Sequence, residues 1–199
     1  MLTIYLLRHG QTAYNADNNR YCGRTDIPLT EKGIQQAELV RAQLTGIDFD
    51  GVYASPLQRA ANTAKLASGR EVTTDQRLIE VDFGQWEHKT QAEFVAENAS
   101  LWNNWDNDPA ITRAGGTGET GLEVVTRVDA FFTELQQKHS SGNFLVVAHN
   151  GVNRLFMAYK LGMPLKNYRQ LVQQNSAITR FTLDEQGVFT LEYLNTTLK

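Results

Sequence analysis

Apolar residues run almost unbroken through Leu2-Thr3-Ile4-Tyr5-Leu6-Leu7 and stop at Arg8-His9-Gly10. A short run so rich in strand formers predicts a strand covered on both faces, as in a parallel sheet that binds ligands at its carboxyl edge. The pattern returns in Phe144-Leu145-Val146-Val147-Ala148, which also stops at a histidine, His149. Gly51-Val52-Tyr53-Ala54 predicts a shorter buried strand and the stretch near Val72 a weak one. Helical spacing marks Ile34, Ala37, Val40 and Leu44 behind Thr30 as N-cap. A second helix carries Leu57, Ala60, Ala61, Ala64 and Ala67, with Ser55 as N-cap, Pro56 as its first residue and Gly69 as its end. Arg59 then falls in its first turn. Thr90 and Glu93 match a capping box that opens one helix holding Phe94, Leu101, Trp102 and Trp105. Val125, Val128, Phe132 and Leu135 mark a longer helix, and Val152, Leu155, Phe156 and Tyr159 one that stops at Gly162. Ala177 to Leu183 and Val188 to Tyr193 predict strands joined by a hairpin at Asp184-Glu185-Gln186-Gly187. Gln11 to Leu29 reads as a polar loop, and Leu78 to Glu87 as a loop or edge segment.

Alternating strands and helices imply right-handed crossovers and an α/β fold, a three-layer sandwich with a mostly parallel central sheet flanked by helices. The 199 residues, 41% of them hydrophobic, suit a single domain over 1–199. A net charge of -3 with interspersed signs gives no reason to expect nucleic acid, so an anion site must be a local concentration of arginines. The partner expected is a small molecule. One cysteine, Cys22, excludes an internal disulfide framework and fits a reducing compartment. With neither a secretory leader nor an apolar span of membrane length, the expectation is a cytoplasmic protein without a membrane partner. A homodimer is left open.

Strand tips on one shared edge bring together Arg8, His9, Arg59 and His149. Two arginines, two histidines and the N-terminal amides of a helix make a site for a compact, highly charged anion, and phosphate fits better than carboxylate. Fixed cationic donors of this kind stabilise phosphoryl oxygens during transfer without a metal or cofactor. His9 offers a neutral, nucleophilic nitrogen, and the neighbouring cation disfavours its protonation. A lone strand-end histidine is as often structural as functional, but Arg8 and Gly10 shift that balance. Three other readings compete. Gly116, Gly118 and Gly121 match a dinucleotide fingerprint, but no strand precedes them. A metal site from His9, His149, His88 or Cys22 lacks ligand spacing; His88 and His139 read as solvated. A non-catalytic phosphate-binding module would not need a nucleophile and an acid.

The motifs in order resemble the histidine phosphatase superfamily, in its phosphoglycerate mutase-like branch. They are Leu7-Arg8-His9-Gly10-Gln11-Thr12 with Asn15, Asp26-Ile27-Pro28-Leu29-Thr30 with Gly33, and Ser55-Pro56-Leu57-Gln58-Arg59-Ala60 with Thr63. Leu78-Ile79-Glu80 with Phe83-Gly84-Gln85-Trp86-Glu87 follows, then Val147-Ala148-His149 and Arg154. The resemblance implies that His9 attacks phosphorus, becomes a phosphohistidine and passes the phosphoryl group to water. It implies that Arg8, Arg59 and His149 hold the phosphate oxygens, with Asn15 as a further donor. Glu80 would protonate the departing alkoxide and then take a proton from water; on spacing alone it would be a solvated acid. Cys22, Gly23 and Asn150 join the substrate-binding set, and Arg20, Tyr21, Arg24 and Trp105 are candidates for the leaving-group side. Asn150 and His88 stand where many relatives have glycine. Residues 85–120 are expected to cover the substrate. The Thr90 to Thr120 stretch is too short and too poor in basic residues for the mutase insertion, so hydrolysis of a small phosphorylated metabolite is favoured over phosphoglycerate mutase-type transfer.

Overall fold

Leu2, Ile4 and Leu6 pack on one side of a sheet, and Tyr5 and Leu7 on the other, the period-two alternation of a strand buried on both faces. The computed structural model describes residues 1–197. Its strands are β1 (Leu2–Arg8), β2 (Gly51–Ala54), β3 (Thr73–Thr74), β4 (Gly142–Ala148), β5 (Ile178–Leu183) and β6 (Phe189–Thr196). The helices are α1 (Ala13–Ala16), α2 (Glu31–Gln43), α3 (Gln58–Ser68), α4 (Gln91–Glu97), α5 (Ala99–Asn107), α6 (Gly121–Lys138) and α7 (Asn150–Lys160). The sheet order is β3-β2-β4-β1-β5-β6. The pairs β2–β3, β2–β4 and β4–β1 are parallel, while the C-terminal hairpin adds β5 and β6 antiparallel at one edge.

Two apolar layers complete the sandwich. On one face Val40 of α2, Leu44 at its C-cap, and Ala60, Ala64 and Ala67 of α3 meet Val52, Leu145 and Val147. On the other, Val124, Val128, Phe132 and Leu135 of α6 and Val152, Leu155 and Phe156 of α7 meet Phe144, Val146 and Phe181. The mostly parallel α/β sandwich is thus as the sequence implies.

Local boundaries differ in three places, each for a visible reason. Ser55 and Pro56 precede α3 instead of opening it; the cap comes from a distant loop, where Asp26 Oδ1 accepts from the Gln58 amide at 2.8 Å. Arg59 remains in the first turn, and Gly69 closes the helix in the left-handed region. The single helix expected after Thr90 is two, because extended Asn98 ends α4 and its Oδ1 accepts from Leu101 N to start α5. The polar loop after β1 contains α1, opened by a capping box between Thr12 and Asn15.

The glycine cluster has a packing explanation. A Cβ on Gly118 would lie 2.0 Å from the Asp82 carbonyl, so only glycine lets this loop lie against residues 82–86. Helix α5 precedes the cluster where a dinucleotide fingerprint needs a strand.

Candidate active site

Strand order sets the geometry. Because β1 and β4 are adjacent and parallel, with Arg8 opposite Ala148, the next residue of each emerges beside the other. The His9 amide donates to the Ala148 carbonyl at 3.1 Å, and the His9 and His149 rings lie 5.1 Å apart at 61°. Both are buried.

His9 Nδ1 lies 2.7 Å from the Gly10 carbonyl. A carbonyl can only accept, so Nδ1 carries the proton and Nε2 keeps its lone pair. Burial, then the positive charges of Arg59 and Arg8, hold the imidazole well below its ordinary pKa. A neutral ring with a free Nε2 is the reactive form for attack on phosphorus.

Cationic donors surround it. Arg8 gives Nη1 to the Gln173 carbonyl at 3.0 Å and keeps an unpartnered, buried Nε. Burial lowers its pKa to about 10, which leaves it charged at neutral pH. Arg59 is fully enclosed, and the 22–25 loop wraps it: Nη1 donates to Thr25 O at 2.7 Å and Nη2 to Cys22 O and Gly23 O at 2.9 and 2.8 Å. Its Nε has no partner. His149 is fully buried with both ring nitrogens unpartnered, and burial, Arg59 and His9 push its pKa down. Asn15 Oδ1 accepts from Thr12 N and Asn175 Nδ2 at 3.1 and 3.2 Å, which leaves its own amide nitrogen for a ligand. Buried polar groups normally find partners, so these orphans converging beside His9 match an anion's oxygens.

Glu80 sits under the N-terminus of α7. Its Oε1 accepts from Val81 N at 2.9 Å and Val152 N at 3.0 Å, and Oε2 from Gly151 N at 3.2 Å. A Cβ on Gly151 would come within 2.8 Å of Oε1, so glycine is what allows this approach. Burial raises the carboxyl pKa, the amides and Arg59 oppose it, and the balance stays above the ordinary value. Arg127, paired with Glu119 at 2.9 Å, holds the loop by donating to the Arg77 and Glu80 carbonyls at 2.7 and 3.3 Å.

These groups open onto a cleft of about 450 Å³. Arg8, His9, Asn15, Cys22, Glu80 and Asn150 line it, with Arg20 and Tyr21. Arg59 and His149 are fully buried and are not among its lining residues, and Gly23 is buried with its amide committed to Glu87 Oε2 at 3.0 Å. The Cys22 thiol, raised to about 11 by burial, is a neutral wall group. Two leaving-group candidates do not reach the cleft. Arg24 turns to Asp82 and Glu119, and Trp105 is core, its indole donating to Tyr168 Oη at 3.3 Å. His88 is exposed, as expected, but His139 is half-buried against Phe144, with ring centroids 4.8 Å apart. Arg154, Tyr168 and Arg169 line the cleft as well. Arg154 appeared only as part of a motif, and the 165–170 turn, a 3-10 helix, has no periodicity to single out Arg169. Among the described residues no group of three or more histidine, cysteine and acidic side chains could hold a metal ion, and no helix is long and apolar enough to cross a membrane.

The two buried imidazoles make a pH prediction. Their folded pKa values lie below the unfolded value of about 6.5, so the unfolded chain binds more protons as pH falls and stability is lost. The contribution is complete above about pH 6.5 and declines below it by about 1.4 kcal/mol per pH unit per imidazole. Glu80 has the opposite sign, its contribution being lost as pH rises above about 4.5 through its raised folded value. Thermal unfolding from pH 7.5 to 5.5 should therefore show a falling midpoint, with a shallower slope in His149→Gln. A flat profile would contradict the neutral pair.

The family model described as "Histidine phosphatase superfamily (branch 1)" matches residues 4–197. The chain is 36% identical over 167 residues, 82% of its length and 81% of the relative's, to the adenosylcobalamin/alpha-ribazole phosphatase of Escherichia coli strain K12. It is 29% identical to phosphoserine phosphatase 1 of Hydrogenobacter thermophilus, over 94% of this chain and 89% of that one. Among solved structures, the phosphoserine phosphatase of Entamoeba histolytica in complex with 3-phosphoglyceric acid superimposes with a TM-score of 0.89 at 29% identity, covering 99% and 98% of the two chains. The strand-tip geometry and these matches agree, and the chain belongs to the histidine phosphatase superfamily, in its phosphoglycerate mutase-like branch of phosphomonoester hydrolases.

Proposed function

We propose that the chain hydrolyses a small phosphorylated metabolite through a phosphohistidine on His9, with no metal. The observation that carries this is a neutral imidazole, its Nε2 free, facing buried guanidinium and imidazole nitrogens that lack partners within the protein. Nε2 attacks phosphorus as the P–O bond to the alcohol breaks, and Glu80 supplies the proton the alkoxide needs. Water then attacks phosphorus and gives its proton to Glu80 as the new P–O bond forms and the P–N bond breaks, which releases phosphate and restores His9. Arg8, Arg59 and His149 bear the oxygens, with charge concentrated where the transfer develops it. Asn15 and Asn150 reach the same group from the cleft wall. Gly23 acts through its carbonyl on Arg59, and Cys22 by closing the wall.

Residues 85–120 serve as the cap over the single 1–199 domain. Gln91 of α4 lines the cleft, and Trp86 stacks on Phe94 at 4.7 Å with Trp102 and Trp105 against it, a stiff apolar mount for that edge. An unpaired thiol at Cys22 accords with work in the cytoplasm. Relatives named for alpha-ribazole phosphate and phosphoserine support a small phosphorylated substrate. Turnover of an aryl phosphate should persist in excess chelator. Loss of activity on chelation, restored by a divalent cation, would replace this mechanism with a metal-assisted one.

A further inference from the structure

We infer that Glu119 and Arg127, neither of which lines the cleft, are positioning residues for the acid: they hold Glu80 against the start of α7 by gripping the backbone around it. This rests on the phosphatase reading above, with Glu80 as its proton donor. Glu80 belongs to no helix or strand. It lies between two 3-10 turns, Gln76–Leu78 and Gly84–Trp86, yet its carboxyl must meet the amides of Gly151 and Val152 on a separate element. Buried Leu78 and Val81 anchor the segment by packing, which is non-directional. Directional bonds come from the other two residues. Arg127 Nη1 donates to the Arg77 carbonyl at 2.7 Å and Nη2 to that of Glu80 at 3.3 Å. Glu119 Oε2 accepts from the Asp82 amide at 3.0 Å, and the Glu119 amide donates to the Asp82 carbonyl at 3.0 Å. The four bonds span residues 77–82, with the acid inside that span.

The two residues also fix each other. Arg127 Nε and Nη2 donate to Glu119 Oε1 and Oε2 at 2.9 and 3.0 Å, a two-pronged fork between side chains only 17% and 15% exposed, where solvent and salt screen less than at the surface. Arg127 is mounted on α6 between Val124 and Val128, both in the core. A guanidinium whose plane is set by a carboxylate can aim its remaining N–H groups at two carbonyls at once; an ammonium is a point charge and cannot. Arg24 lies 3.3 Å from the same carboxylate, but it is half exposed and adds little. Besides burial, Arg59 and His9, the charge of Arg127 bears on His149. Removing that charge would therefore disturb phosphate binding for every ester. Loosening the fork is different: a displacement of the Glu80 carboxyl by about 1 Å can cost about 10²-fold in a step that needs its proton, and little in a step that does not.

The test uses Arg127→Lys, which keeps the charge and loses the fork. Its kcat/KM is measured for an alkyl phosphate and for an activated aryl phosphate, in the otherwise wild-type protein and in a Glu80→Gln background, with melting curves alongside. The expected result is a loss of at least about tenfold on the alkyl ester and less than about threefold on the aryl ester. In the Glu80→Gln background the same substitution should cost less than about threefold on the alkyl ester, because no acid is left to position. Should Arg127→Lys fail to fold, Glu119→Gln is read in the same way, since it keeps the guanidinium and removes the anionic partner that orients it. A purely structural role would lower both esters alike and would add to the Glu80→Gln loss instead of vanishing in it. Equal losses on the two esters, an undiminished alkyl loss in the Glu80→Gln background, or no loss in a folded variant each overturn the inference and leave the phosphatase reading standing. If Glu80→Gln alone shows no alkyl-selective loss, or no ester is turned over at all, the reading beneath it fails first.

Discussion

His9→Ala should abolish turnover, by at least about four orders of magnitude, and should leave no phosphoryl group trapped on the protein. In the wild type, brief exposure to a labelled phosphomonoester should leave an acid-labile, base-stable label, the signature of a phosphoramidate. The size of the effect follows from the local geometry. The Gly10 carbonyl fixes the proton on Nδ1 and leaves Nε2 as the free lone pair, and burial beside Arg59 and Arg8 keeps the ring neutral. His149, 5.1 Å away, cannot replace it without an equivalent carbonyl, since both its nitrogens lack partners. The fold should survive the change, because His9 lies at a strand tip and its backbone bonds to Ala148 and Ser176 remain. A label that persists in His9→Ala would move the nucleophile elsewhere.

Glu80→Gln should lower turnover of alkyl phosphates by about 10²- to 10⁴-fold and of activated aryl phosphates by far less, because a good leaving group needs little protonation in the transition state. The carboxyl is suited to this by opposing influences. Burial favours the neutral acid, while amides of Val81, Gly151 and Val152 favour the anion, so that both forms are accessible during one cycle. Glutamine cannot shuttle a proton, and its NH₂ group must face an amide that the carboxylate accepted from. That mismatch should cost about 1–3 kcal/mol of stability, so rates and melting curves are measured together. Equal losses for alkyl and aryl esters in a folded variant would remove the acid role.

Much of this was legible from local pattern. The runs ending at Arg8-His9 and at His149 are strands because continuous β-rich apolar stretches have nowhere to go but a sheet covered on both faces. Capping boxes at Thr90 and the αL glycine at Gly69 were readable because a helix end is satisfied by residues within one turn of it. Where a cap comes from afar, as Asp26 does for Gln58, local pattern places the helix start too early. Glu80 is the clearest case of a residue whose environment no pattern contains. By spacing it is a surface acid; in the fold it is buried against amides from residues more than seventy positions later.

The sequence by itself determined the elements, the apolar faces and the identities of the reactive groups, because periodicity, propensity and capping act over a few residues. Only the tertiary structure decided that β4 lies between β1 and β2 and sets His149 beside His9. It also decided that Arg59 is enclosed by the 22–25 loop, that Glu80 meets the start of α7, and that Arg154 and Arg169 share a cleft wall. Those outcomes depend on contacts between distant segments and on the loss of water around them, and it is that desolvation which moves the histidine and carboxyl pKa values toward their chemistry.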